Sequence, residues 1–147
     1  MVLRSGLPVE LVGWQLSRGE AALGTADIER ILSKGTSLGR FAIECNSTAL
    51  EAYRVQTGET SIALPDPVAM AIALDPGICT SASDHYVDVE VHSELTRGMT
   101  VVDRLGVAAD VRNQAVWAPY LKGRPKTRVC WAIDIARWKA ALFEALS

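Results

Sequence analysis

Apolar positions along the chain change period about halfway. From Thr25 to Leu74 they recur at helical spacing, and from Tyr86 to Asp103 they alternate. Thr25 reads as the N-cap of a first helix, with Ile28, Ile31 and Leu32 as its apolar stripe, Asp27 and Glu29 in its first turn and Gly35 as its stop. A longer helix is predicted from about Ser37 to about Gln56. Leu38, Phe41, Ala42, Cys45, Ala49, Ala52 and Tyr53 keep helical register on it. Thr57–Ser61 is a polar loop. Asp66-Pro67 then opens a third helix, with proline in the first turn and Asp75-Pro76-Gly77 ending it. Leu7–Gly13 reads as a short buried strand, preceded at residues 1–5 by the last turn of a helix with Gly6 behind it. The alternating runs Tyr86–Val91 and Gly98–Asp103 predict two strands paired antiparallel through Ser93–Arg97. Arg128–Ile133 is a buried strand, and Asp134 caps a last helix bearing Ile135, Trp138, Leu142 and Leu146 on one face. The order predicts one α/β domain over residues 1–147, an open sheet with flanking helices and an antiparallel strand pair.

Composition narrows the function classes. The 147 residues suffice for a hydrophobic core; 49 % are hydrophobic and 22 % charged, as in an ordinary globular protein. A net charge of −2 supplies no basic field for nucleic acid or a membrane surface, so neither is an expected partner. The basic run Lys122–Arg128 reads as a solvated loop entering a strand. No apolar run reaches the roughly 20 residues that span a bilayer, and no signal peptide is legible at the N-terminus, which points to the cytoplasm. Cys45, Cys79 and Cys130 have no metal spacing and read as buried, reduced thiols. His85 and His92 read as surface histidines, and Asp88 and Glu90 as a wet sheet face. The tryptophans Trp14, Trp117, Trp131 and Trp138 are expected in core or interface space, and Arg97 beside Glu94 or Asp103.

Several segments in order carry a resemblance: Ser5–Gly13, Leu64–Ala71, Leu74-Asp75-Pro76, Val87–Glu90 with Glu94–Asp103, and Ile133-Asp134-Ile135. Together they resemble the C-terminal half of the inosine–uridine-preferring nucleoside hydrolases. The resemblance implies an open α/β fold with its site at the carboxyl ends of strands. It implies a nucleoside N-ribohydrolase, which splits the N-glycosidic bond of purine or pyrimidine ribonucleosides to base and ribose through an oxocarbenium-like transition state. It also implies a Ca2+ ion held by oxygen ligands, most of them in an aspartate cluster preceding the matched region. Asp66 matches the family's one later metal ligand. Pro65 stands where many members carry a histidine that can protonate the leaving base, a role closed to a proline side chain. Tyr53, Gln56 and Thr57 fall where members place groups that contact the nucleobase. The residues themselves leave a second role open, Asp66 as a helix-opening aspartate and Tyr53 as a core aromatic.

No residue is assigned as catalytic by this matching. No aspartate cluster precedes Ser5, and Ca2+ needs about six to eight oxygen ligands. The expectation is therefore that this polypeptide alone neither holds the ion tightly nor turns over its ribonucleoside substrate. Two alternatives stand beside that reading: a non-catalytic binding or oligomerisation module, and one half of a split enzyme completed by an N-terminal partner. A homo-oligomer is the expected consequence of exposed sheet edge.

Overall fold

The computed structural model describes residues 2–147. After a 3-10 turn at Val2–Arg4, strand β1 covers Glu10–Val12, two further 3-10 turns follow, and β2 is the two-residue strand Leu23–Gly24. Helices α1 (Thr25–Ser33), α2 (Ser37–Glu44) and α3 (Ser47–Thr57) lead to β3 (Ser61–Ile62) and α4 (Pro65–Leu74). Then come β4 (Cys79–His85), β5 (Val87–Val89), β6 (Thr100–Val102), α5 (Gln114–Leu121), β7 (Thr127–Ile133) and α6 (Ile135–Ala145). One sheet has the order β1-β7-β4, β2 pairs with β3, and β5 with β6. The mixed architecture with an open sheet and flanking helices is the one the sequence predicts. The chain forms two compact units, residues 2–11 with 82–130, and Val12–Ser81 with Trp131–Ser147. Among the described residues no helix is long and apolar enough to cross a membrane.

The larger unit is built on helical amphipathicity. Leu23, Ile31, Ile62, Phe143 and Leu146 are buried together, with Ile28, Ala42, Ile43, Leu50, Leu64 and Leu142 packed against them. Val68, Ala71 and Ile72 form the buried side of α4, and Trp138 of α6 is buried with its Nε1–H donating to the Ala21 carbonyl at 3.1 Å. Asp134 caps α6 as predicted, accepting from the Arg137 N–H at 2.9 Å. In α1, Thr25 is the first helical residue and not the cap. The Gly24 N–H donates to the Asp27 carboxylate, which also takes Lys139 at 2.7 Å. Gly39 lets α2 approach α1, because a Cβ there would sit 3.1 Å from the Ile31 Cγ2 atom.

Several expectations are corrected. The helix predicted over Ser37–Gln56 is two helices. Asn46 breaks it by donating its side-chain amide to the Ala42 carbonyl at 2.9 Å, which competes with the backbone ladder. Leu38 and Phe41 face outward, Phe41 64 % exposed, and Leu32 is exposed as well. The strand predicted over Leu7–Gly13 is only three residues long. Trp14 is 62 % exposed, so it fills no core space here. Of the cysteines only Cys130 is buried. Strand β4, whose polar run Cys79–His85 shows no apolar alternation, and helix α5, whose apolar run has no helical stripe, lay outside the sequence prediction, and so did the two-residue strands β2 and β3.

The smaller unit contains the predicted antiparallel pair, with Val87 opposite Val102, Asp88 opposite Val101 and Val89 opposite Thr100. Gly98, at φ +88°, turns the chain between the strands. Arg97 pairs with neither Glu94 nor Asp103; the Asp103 carboxylate instead accepts from the Val107 and Ala108 N–H groups at 2.8 and 3.0 Å. His85 is no free surface histidine: Nδ1 lies 2.9 Å from the Asp103 carbonyl and Nε2 2.7 Å from the Ser83 hydroxyl.

Candidate functional site

The segments singled out for chemistry lie in the larger unit, on the run from α3 through β3 into α4. Tyr53 sits in the last turns of α3 and is half-buried. It lines a pocket of about 190 Å³ with Arg18, Gly19, Ala22, Glu59, Ser61 and Ala63. The α3 terminus positions this wall. The Gly58 N–H donates to the Arg54 carbonyl at 2.8 Å, and Gly58 takes φ +77°, the left-handed conformation that ends a helix. Antiparallel pairing of Leu23 with Ile62 and Gly24 with Ser61 then sets the opposite wall.

Thr57 does something else. Its hydroxyl donates to the Tyr53 carbonyl at 2.9 Å and accepts from the Glu59 N–H at 3.2 Å. It closes the helix end and holds Glu59 at the pocket. Gln56 is exposed and, like Thr57, lies outside the pocket lining. Arg54 reaches back to Glu51 through two hydrogen bonds, which hold the Glu51 carboxyl below its usual range.

Asp66 lies in the first turn of α4, after Pro65 and before Pro67. The helix starts cleanly because a first-turn proline gives up an N–H that would have no partner. Asp66 is exposed, and its carboxylate makes no hydrogen bond or ion pair with any described residue. It does not line the Tyr53 pocket. The macrodipole favours a negative charge at this position.

A carboxylate that caps nothing and pairs with nothing is suited to an external ligand, but one is too few for calcium. Among the described residues no group of three or more His, Cys, Asp or Glu side chains could hold a metal ion. Calcium takes about six to eight oxygens, so residues 2–147 do not fit the ion by themselves. Arg18, Glu59 and Ser61 were not singled out by sequence. Glu59 and Ser61 lie at a strand of two residues, too short for a period to register, and Arg18 lies between two 3-10 turns.

The family model for inosine–uridine-preferring nucleoside hydrolase matches residues 1–140. The chain belongs to that family. Pyrimidine-specific ribonucleoside hydrolase RihA of Shewanella sp. (strain ANA-3) is 32 % identical over 117 residues, covering 79 % of this chain and 36 % of the relative. RihA of Salmonella arizonae is also 32 % identical, covering 79 % and 37 %. The chain thus spans little more than a third of the length of these curated relatives. Among solved structures, a plant nucleoside hydrolase, the PpNRh1 enzyme, superposes with a TM-score of 0.81 at 20 % identity, covering 99 % of this chain and 43 % of that one. An inosine–guanosine nucleoside hydrolase superposes with a TM-score of 0.74 at 23 % identity, covering 99 % and 41 %. These likenesses fix the fold. Within the nucleoside hydrolase family, Leu64–Ala71 and Val87–Asp103 both fall inside the matched region.

Proposed function

We propose that this chain contributes the nucleobase side and one metal-directed carboxylate to a nucleoside N-ribohydrolase, an enzyme that releases base and ribose from ribonucleosides. The observation that carries the reading is Asp66: exposed, unpartnered, and placed at a helix start within the family-matched segment. Tyr53 offers a ring face for stacking on a base, and Arg18, Glu59 and Ser61 supply donors and acceptors for its edge. Pyrimidine ribonucleosides are the first substrates to test, because the relatives at 32 % identity are named pyrimidine-specific. Pro65 rules out leaving-group protonation at that position, so proton delivery to the base falls to another group.

On this reading the 147-residue polypeptide needs further oxygen ligands for Ca2+, and alone it is inactive. The purified chain is incubated with uridine and with inosine in millimolar calcium, and released ribose is measured as reducing sugar. No turnover above the buffer rate is expected. The chain is then mixed with the part of a RihA relative that precedes the matched segment. Recovery of uridine hydrolysis, lost again with Asp66→Asn, is the supporting result. Turnover by the chain alone, or recovery indifferent to Asp66→Asn, overturns the proposal.

A further inference from the structure

Helix α5 is anomalous. Every residue of Gln114–Leu121 except the first is apolar, aromatic or proline, yet none is buried; Val116 and Tyr120 are 65 % and 64 % exposed. Between this helix and the β5–β6 hairpin, wholly within the smaller unit, lies a cavity of about 340 Å³. Its walls include Tyr86, Val102, Ala108, Trp117 and Tyr120, with Arg124 beside them. The Trp117 and Tyr120 rings stand edge-to-face, 6.4 Å between centroids, and the Lys126 ammonium lies 5.6 Å from the centre of the Tyr86 ring. A largely apolar concavity with aromatic walls and few polar groups is the usual form of a small-molecule site, and about 300 Å³ is the lower end of that range.

The polar groups select the ligand. Both carboxylates at the cavity are already answered. Asp103 is held by the Val107 and Ala108 N–H groups, and Asp88 by Arg124 at 2.6 Å, Arg4 at 3.2 Å and the Val89 N–H. Asp88, Asp103, Arg4 and Arg124 cancel in charge, and the Lys126 ammonium lies against the Tyr86 ring without lining the cavity, so the walls themselves favour neither an anion nor a cation. Arg124 spends only one terminal nitrogen on Asp88; its side chain is 19 % exposed and its other nitrogens make no hydrogen bond with a described residue. The uncommitted chemistry is thus donor N–H beside aromatic walls.

We infer that this cavity binds a neutral, planar aromatic molecule that presents a hydrogen-bond acceptor, such as a carbonyl oxygen, to Arg124. The aromatic body fills the space between Trp117 and the hairpin, and the ligand covers the Trp117, Tyr120 and Leu121 side chains of α5. This site takes its ligand independently of the Tyr53 pocket.

The test is a pair of probes of the same shape, 1-indanone and indane, titrated into the intact chain by calorimetry and by NMR within the solubility of indane. A charge-assisted hydrogen bond contributes about 1.5–3 kcal/mol, so 1-indanone is expected to bind at least about tenfold more tightly. Arg124→Met keeps the aliphatic stem and removes the donors; it is expected to bring the two affinities within about twofold. Trp117→Ala is expected to weaken both probes while preserving their ratio. Arg124→Lys retains the charge beside Asp88 and serves if Arg124→Met loses its native circular dichroism; it is expected to reduce the preference without abolishing binding. Absence of saturable binding by either probe, equal affinities in the unaltered chain, or indifference to Trp117→Ala overturns the inference. So does self-association that the probes fail to compete with, which would make a second copy the occupant.

Discussion

Trp138 is where one substitution tests the packing argument most directly. The indole is buried, and its N–H donates to the carbonyl of Ala21, itself a buried residue. Trp138→Phe keeps an aromatic ring but deletes the donor. The Ala21 carbonyl then stands in the core without its partner, which costs about 1–3 kcal/mol. The smaller ring also leaves roughly 40 Å³ unfilled, and at about 24 cal/mol per Å³ that adds roughly 1 kcal/mol. The sum, about 2–4 kcal/mol, is a large part of the 5–15 kcal/mol typical of a domain. Urea unfolding followed by far-ultraviolet circular dichroism measures it, since tryptophan emission would change with the substitution itself. With a slope of about 1.5 kcal/mol per molar, a 3 kcal/mol loss moves the midpoint down by about 2 M. Phe143→Leu is the control, because it trims a buried ring in the same unit without removing a hydrogen bond donor. It should lose less. A Trp138→Phe midpoint within 0.3 M of the unaltered protein at unchanged slope, about 0.5 kcal/mol, would refute the reasoning that the indole N–H anchors Ala21.

Three further outcomes are expected. Burial alone would raise the Asp88 carboxyl above its ordinary value, but the Arg124 hydrogen bond, the Val89 N–H and the charges of Arg124 and Arg4 together hold it below. A carboxyl lowered in the folded state stabilises above its unfolded pKa and loses that contribution as pH falls through the folded one; Asp88→Asn should therefore be less stable than the unaltered chain at pH 6, with the gap closing in acid, as read from urea midpoints between pH 6 and 2.5. Asp134→Ala removes the acceptor of the Arg137 N–H at the start of α6 and should cost about 1 kcal/mol in the same assay. Disulfide-exchange labelling should modify the exposed Cys45 fastest and the buried Cys130 only on unfolding, with Cys79 between them.

What the sequence revealed follows from what each signal physically is. The Val87–Val89 and Thr100–Val102 pair was legible because valines alternate with acidic residues in the first strand and a β-branched run follows the Gly98 turn in the second. The α4 and α6 boundaries were legible from a first-turn proline and an Asp cap, which act through local stereochemistry. Strand β4 was not, since Cys79–His85 is mostly small and polar and is held in a sheet beside β7. The split at Asn46 depends on where one side-chain amide points, and an apolar period continuing past it gives no warning. At the site, Asp66 and Tyr53 were reached through family resemblance, not periodicity. Their separation is a matter of tertiary structure: Tyr53 enters a pocket, Asp66 does not, and Thr57 is occupied by its own helix end.

The two-residue pairing of Leu23–Gly24 with Ser61–Ile62 makes residues 25–60 an excursion that departs from and returns to one place. Its ends are pinned whatever its length. Lengthening such a closed loop is cheap, about 0.6 kcal/mol for each doubling, provided the residues on the shared core keep their seats. The Cys45–Asn46 junction lies in the middle of it, between the last residue of α2 and the first of α3. The helix that carries Tyr53 can thus be lengthened or exchanged, with Leu50 kept on the core, while β2 and β3 stay where they are. For a protein engineer it is a cassette, a part that can be varied without rebuilding the scaffold.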